Sequence, residues 1–119
     1  LIKIWNNEAY KDFYYHSAHF HYFTEDSLRR VAENAGVESD KVQFEYTQDY
    51  NLLNHLHWLS NNYPQDDCHV GLSQINIKDG KGGISDWLHS ELTSLNRDYI
   101  NHLKRDKATS NIMMIISNE

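Results

Sequence analysis

Two segments of the chain carry the pattern of a β-strand, and they lie far apart in the sequence. Val42, Phe44 and Tyr46 alternate with Gln43, Glu45 and Thr47, the period-two pattern of a strand with one covered face. Near the end, Asn111-Ile112-Met113-Met114-Ile115-Ile116 is a continuous apolar run of strand length, as in a strand buried on both faces. Two strands alone leave rows of unpaired backbone N–H and C=O groups along their outer edges, which folded proteins pair or cover. The sequence therefore predicts an α/β fold in which further strands complete the sheet, with a helical excursion between the two strands seen. Leu1-Ile2-Lys3-Ile4-Trp5 has no initiator Met and reads as the middle of a longer chain, so the partner strands are expected in an N-terminal half.

The helices are marked by caps and periodicity. Thr24 is a good N-cap, Glu25 and Asp26 put negative charge in the first turn, and Gly36 supplies a stop. Between them Leu28, Val31, Ala32 and Ala35 recur at helical spacing and predict one buried face. Aromatics crowd the first fifteen residues, predicting a helical turn or two without a clear cap. Leu52, Leu53, Leu56 and Leu59 fit a short helix that Asn61-Asn62-Tyr63-Pro64 ends. Residues 65–83 read as a long irregular loop closing on Gly80, Gly82 and Gly83. A second amphipathic helix follows, capped by Ser85, with Trp87, Leu88, Leu92, Leu95, Tyr99 and Leu103 as its apolar stripe. The 119 residues suffice for one domain: helix and strand over 1–47, a helical lid or insertion over 48–108, and the final strand over 109–119.

Composition excludes several classes. A net charge of −6 disfavours a phosphate-backbone binder, which needs clustered Lys and Arg. Lys104, Arg105 and Lys107 read as the basic end of a helix, and no nucleic-acid partner is expected. The single Cys68 cannot close an internal disulfide, and no apolar run approaches membrane-spanning length. A cytoplasmic protein without a membrane partner is the expectation.

The stretch His19-Phe20-His21-Tyr22-Phe23-Thr24-Glu25-Asp26-Ser27-Leu28-Arg29-Arg30, running on to Glu33-Asn34-Ala35-Gly36-Val37, resembles a segment of class I S-adenosylmethionine-dependent methyltransferases. There a His-x-x-x-Phe-Thr/Ser motif leads into a helix that ends just before the sixth strand. His19, Phe23, Thr24, Leu28, Ala35 and Gly36 carry the match; Glu25 stands where proline is common, and Val37 where phenylalanine is usual. The run 112–116 resembles the seventh strand, which lies antiparallel between its neighbours. Asn7-Glu8-Ala9-Tyr10-Lys11-Asp12-Phe13-Tyr14 and Asn54-His55-Leu56-His57-Trp58-Leu59 look like methyltransferases of bacterial surface-sugar and related small-molecule pathways.

The resemblance implies the C-terminal portion of a Rossmann-like methyltransferase sheet, its two terminal strands, with a helical insertion. It implies S-adenosyl-L-methionine as cofactor of the parent protein, with the glycine-rich donor loop and the acidic ribose ligand both upstream of this chain. Gly80-Lys81-Gly82-Gly83 follows no predicted strand and reads as a loop rather than a substitute for that site. This segment alone is expected to be inactive and to bind a small-molecule acceptor, a sugar or its nucleotide-linked form.

Ligands of open α/β sheets gather outside the carboxyl ends of the strands. The resemblance puts residues 14–22 after the fifth strand and the insertion after the sixth, so that both wall the acceptor pocket. Histidine suits a base near neutral pH, which makes His19 and His21 the catalytic candidates. Tyr14, Tyr15, His16, Tyr22, Asn54, His55, His57 and Trp58 are the acceptor-binding candidates, several of them aromatics suited to stacking. No metal site is predicted, because Asp66, Asp67, Cys68, His69 and the His55-x-His57 pair show no regular zinc spacing. A metal-dependent hydrolase built on these residues and a non-catalytic binding or regulatory module are the competing readings. The open strand edges predict a homodimer that covers 42–47 or 111–117.

Overall fold

A computed structural model describes residues 1–72, 74–75 and 82–118. Leu1 precedes a single helical turn, α1 (Ile2–Trp5), which Asn6 ends in the left-handed conformation (φ 48°). Helix α2 (Glu8–Tyr14) does have a cap: the Asn7 side chain accepts from Tyr10 N at 2.8 Å. An asparagine followed by Glu8 is an ordinary start signal, hidden in the sequence by the surrounding aromatics.

Helix α3 (Glu25–Asn34) starts where Thr24 predicts. Thr24 Oγ1 accepts from Ser27 N (3.2 Å) and Ser27 Oγ accepts from Thr24 N (2.8 Å), a reciprocal box that satisfies two otherwise unpaired donors. Gly36, at φ +80°, leads the chain out of the helix in a conformation that a side chain would strain. Of the predicted apolar face only Ala32 is buried; Val31 and Ala35 are exposed, with no cover from the described residues.

Strand β1 (Val42–Thr47) pairs antiparallel with β2 (Asn111–Ile116) in a two-stranded sheet, with Val42 opposite Ile116 and Thr47 opposite Asn111. The fold is thus a small mixed α/β domain. The register puts Val42, Phe44 and Tyr46 on one face with Ile112, Met114 and Ile116. Arg29 of α3 lies over the Phe44 ring at 4.8 Å, so α3 partly covers this face. On the opposite face residues 43, 45, 47, 111, 113 and 115 are all exposed, Met113, expected inside, by 47%; Ile116, at the end of the first face, is exposed as well. Full burial of β2 needs a strand on its outer edge and a layer on its far face, and neither is supplied by the described residues.

Helix α4 (Leu52–Asn61) is the predicted short helix, capped by Asn51, whose side chain accepts from Asn54 N. A 3₁₀ turn at Cys68–Gly71 follows, and Leu72 forms an isolated antiparallel bridge with Tyr50. The loop predicted over 65–83 therefore holds local structure in its first half; Ser73, 76–79, Gly80 and Lys81 lie outside the described residues. Helix α5 (Gly83–Arg105) begins two residues before the predicted cap, with Gly82 in the N-cap position and Ser85 inside the first turn. Its stripe is mostly uncovered. Leu103 is buried, but Trp87 is 61% exposed and Leu88 and Leu95 are also exposed. None of residues 83–91 is buried among the described residues.

The core is small. Leu1, Tyr10 and Trp58 form its centre, with Ile2, Ala9, Tyr14 and Leu59 against it. The radius of gyration is 17.6 Å, where a compact chain of this length has about 13–14 Å. No helix among the described residues is long and apolar enough to cross a membrane.

Glu25 ties these layers together. Its carboxylate accepts from Tyr46 Oη (2.6 Å), Lys107 Nζ (2.6 Å) and Arg29 Nη2 (3.1 Å), linking α3, β1 and the approach to β2. The Lys107 and Tyr46 hydrogen bonds, with that of Arg29, lower its pKa from 4.5 to about 2. A carboxylate held low in the folded state stabilises the fold above its ordinary pKa, and that stabilisation disappears as pH falls through the folded value. Glu25→Gln should therefore lower Tm at neutral pH. The gap to the parent should close between pH 4.5 and about 2 in a thermal-melt series. A gap independent of pH would assign the effect to lost packing instead.

Candidate functional site

Residues 1–22 and the excursion between the strands meet in one cleft. Tyr10, Phe13, Tyr14, His16 and His19 line one side; Tyr50, Asn54, Trp58, Pro64, Gln65 and Cys68 line the other, enclosing about 220 Å³. The walls are rings packed on rings. Tyr10 meets Trp58 edge-on at 5.0 Å, Phe13 lies 5.1 Å from Trp58, and Tyr14 stacks on Tyr10 at 5.9 Å. Burial pushes the Tyr10 phenol up to about 12 and raises that of Tyr14, so both remain neutral hydroxyls at working pH.

The rim is a loop of histidines. Tyr22 Oη donates to the Tyr14 carbonyl at 2.7 Å and accepts from His16 N at 3.2 Å, which folds the loop back onto the end of α2. His16 Nδ1 accepts from Ala18 N, so the ring proton of neutral His16 belongs on Nε2. His19 lies with its ring 4.4 Å from that of His16, and its ring nitrogens have no hydrogen-bond partner among the described residues. Of the two histidines that line this cleft, His16 spends Nδ1 on Ala18 N, and His19 spends neither ring nitrogen on a described residue.

A neighbouring groove of about 390 Å³ is lined by Tyr14, Tyr15, His19, His21, Tyr22 and Phe23 together with Ile112 and Met114 of β2. Tyr14 and His19 belong to both spaces. The two catalytic candidates and six of the eight acceptor-binding candidates therefore gather around Tyr14, with Trp58 and Asn54 on the far wall. The segment directly before Tyr14 is helix α2 rather than a strand, because Asn7 caps it and its aromatic side packs on Trp58.

The structure separates His55 and His57. Two residues apart on α4, they point to different sides. His55 is buried, with Nδ1 2.6 Å from Tyr99 Oη and Nε2 3.4 Å from Gln48 Nε2, and burial lowers its pKa to about 4. It lines a separate cleft of about 290 Å³ with Leu1, Tyr10, Tyr14, Tyr15 and Lys107. His57 packs edge-on against Tyr63 at 5.1 Å and is outside the aromatic cleft. A shared metal on this pair is ruled out by the helix.

Sequence reasoning missed the polar supports. Asn51 is fully buried: its Nδ2 donates to the Val70 and Gln74 carbonyls, and its backbone N–H to that of Gly71. Asn54 Nδ2 donates to Gln65 Oε1, while Asn96 Oδ1 accepts from Leu52 N. Gly71 is required by this packing, since a Cβ there would lie 2.5 Å from Gln65 Oε1 and 2.7 Å from Asn54 Nδ2. The only available signal was an asparagine in front of an apolar helix, which marks a cap but not its burial.

Strand β1 leads on to α4 without a glycine between them, and Gly82–Gly83 opens α5 without a strand directly before it among the described residues. No family model, characterised protein or solved structure matches this chain.

Proposed function

We propose that the chain is the acceptor-side, C-terminal part of a class I S-adenosylmethionine-dependent methyltransferase acting on a small molecule, a sugar or nucleotide-linked sugar. The observation that carries this reading is the sheet. Two strands separated by a long helical excursion pair antiparallel, and the second has an apolar outer edge that no strand among the described residues pairs. That is the arrangement expected of the sixth and seventh strands of a Rossmann-like methyltransferase, where the open edge receives the fifth. Pairing of that edge with a second copy is the other arrangement that would cover it.

The aromatic cleft supports the acceptor assignment, because its two walls come from the two segments that this topology brings to the acceptor side. Stacked rings bind the apolar faces of a saturated or aromatic ring, and the polar rim orients it. His19 would take the acceptor proton, His16 Nε2–H would donate to an acceptor oxygen, and the tyrosines would exclude water. S-adenosyl-L-methionine would supply the methyl group from a site formed by other parts of the parent protein.

Calorimetry of this chain with S-adenosyl-L-methionine is expected to show no binding, whereas the chain joined to the residues encoded immediately upstream should bind it. A micromolar donor site on this chain alone would overturn the proposal. So would an upstream sequence lacking a strand followed by a glycine-rich turn.

A further inference from the structure

A second chemistry lies at the mouth of the aromatic cleft. Asp67 closes the approach to the 3₁₀ turn Cys68–Gly71, its side chain accepting from His69 N at 3.0 Å. The turn folds three consecutive donor side chains together. Asp67 Oδ1 lies 3.0 Å from His69 Nδ1, and Cys68 Sγ lies 3.9 Å from the same nitrogen. Among the described residues this is the one group of three whose carboxylate, thiol and imidazole donors all fall within 4.8 Å of one another. All three are exposed, so an ion can reach them from solvent. The histidine pair considered from the sequence plays no part.

We infer that Asp67, Cys68 and His69 form a binding site for a borderline divalent transition metal such as Zn²⁺ or Co²⁺. One sulfur, one imidazole nitrogen and one carboxylate oxygen suit such ions, whereas Mg²⁺ and Ca²⁺ take oxygen donors. A thiolate and a carboxylate together neutralise a dication. Binding moves the His69 ring proton from Nδ1 to Nε2 and releases the Cys68 thiol proton to solvent, leaving the metal oxidation state unchanged. Cys68 also lines the aromatic cleft, which carries His16 and His19 among its other lining residues. This inference is independent of methyl transfer.

Co²⁺ titration of the whole chain tests it, since a thiolate ligand gives a near-ultraviolet charge-transfer band. The band is expected to saturate at one equivalent and to vanish in Cys68→Ser. In Asp67→Asn and His69→Ala the apparent affinity should fall about tenfold or more. Because the three side chains are exposed, circular dichroism of each variant should match the parent. No band at millimolar Co²⁺ would overturn the inference. Unchanged affinity in both Asp67→Asn and His69→Ala would do so as well, by showing a thiol that binds metal without the other two residues.

Discussion

Asn51→Ala should cost about 3 kcal/mol of folding stability, seen as a lower urea midpoint with an unchanged slope. Asn51 Oδ1 caps α4 through Asn54 N, and losing a cap of this kind costs about 1 kcal/mol. The same side chain donates to the Val70 and Gln74 carbonyls. Leaving these part-buried carbonyls without their donor adds roughly 1–3 kcal/mol. Asn51→Ser keeps a capping oxygen and loses the amide donor, so it should recover only about 1 kcal/mol of the deficit. An alanine variant within about 0.5 kcal/mol of the parent would show that the 65–72 segment is held by other contacts.

That residue also shows where the sequence stops being informative. Thr24, the alternation at 42–47 and the leucines of α4 are local signals, and each element formed where its signal placed it. Periodicity reports which face of an element is apolar, but a neighbour must exist before that face is buried. Trp87 and Leu95 of α5, Val31 of α3 and Met113 of β2 all keep an apolar side chain exposed among the described residues. Buried polar groups are the converse. Asn51, Asn54, His55 and Asn96 occupy interior positions because each has a backbone or side-chain partner at long range, and no spacing rule encodes such partners. Glu25 is intermediate. Its place in a first helical turn is readable, yet its role in joining Tyr46 and Lys107 depends on the sheet register.

The candidate site divides along the same line. The histidine loop and the α4 aromatics could be picked out by residue type, and Tyr14, His16, His19, Asn54 and Trp58 do share a cleft. His55 and His57 could not be assigned without knowing the helix phase, which sends one to Tyr99 and the other to Tyr63. The metal-ligand cluster was visible as three adjacent residues, but only the 3₁₀ turn brings their donor atoms together.

Trp58 is the residue on which fold and site depend together. Its side chain is 3% exposed, at the centre of the small core, with Tyr10 and Phe13 against its ring. Truncation of a buried tryptophan costs about 3–5 kcal/mol. Small domains hold roughly 5–15 kcal/mol in all, and this core is thin for its chain length. Trp58→Ala is therefore expected to bring the chain close to unfolding at 37 °C, with loss of near-ultraviolet circular dichroism. Trp58→Phe retains a ring against Tyr10 and should cost far less, about 1–2 kcal/mol. The phenylalanine variant then separates packing from binding. If the cleft takes a ring by stacking, nucleotide-linked hexoses should bind this folded variant about two- to threefold more weakly than the parent, since the smaller ring keeps only part of a stacking contact worth about 1 kcal/mol or more. Equal affinity in parent and Trp58→Phe would move the acceptor out of this cleft and into the groove between His21 and Met114.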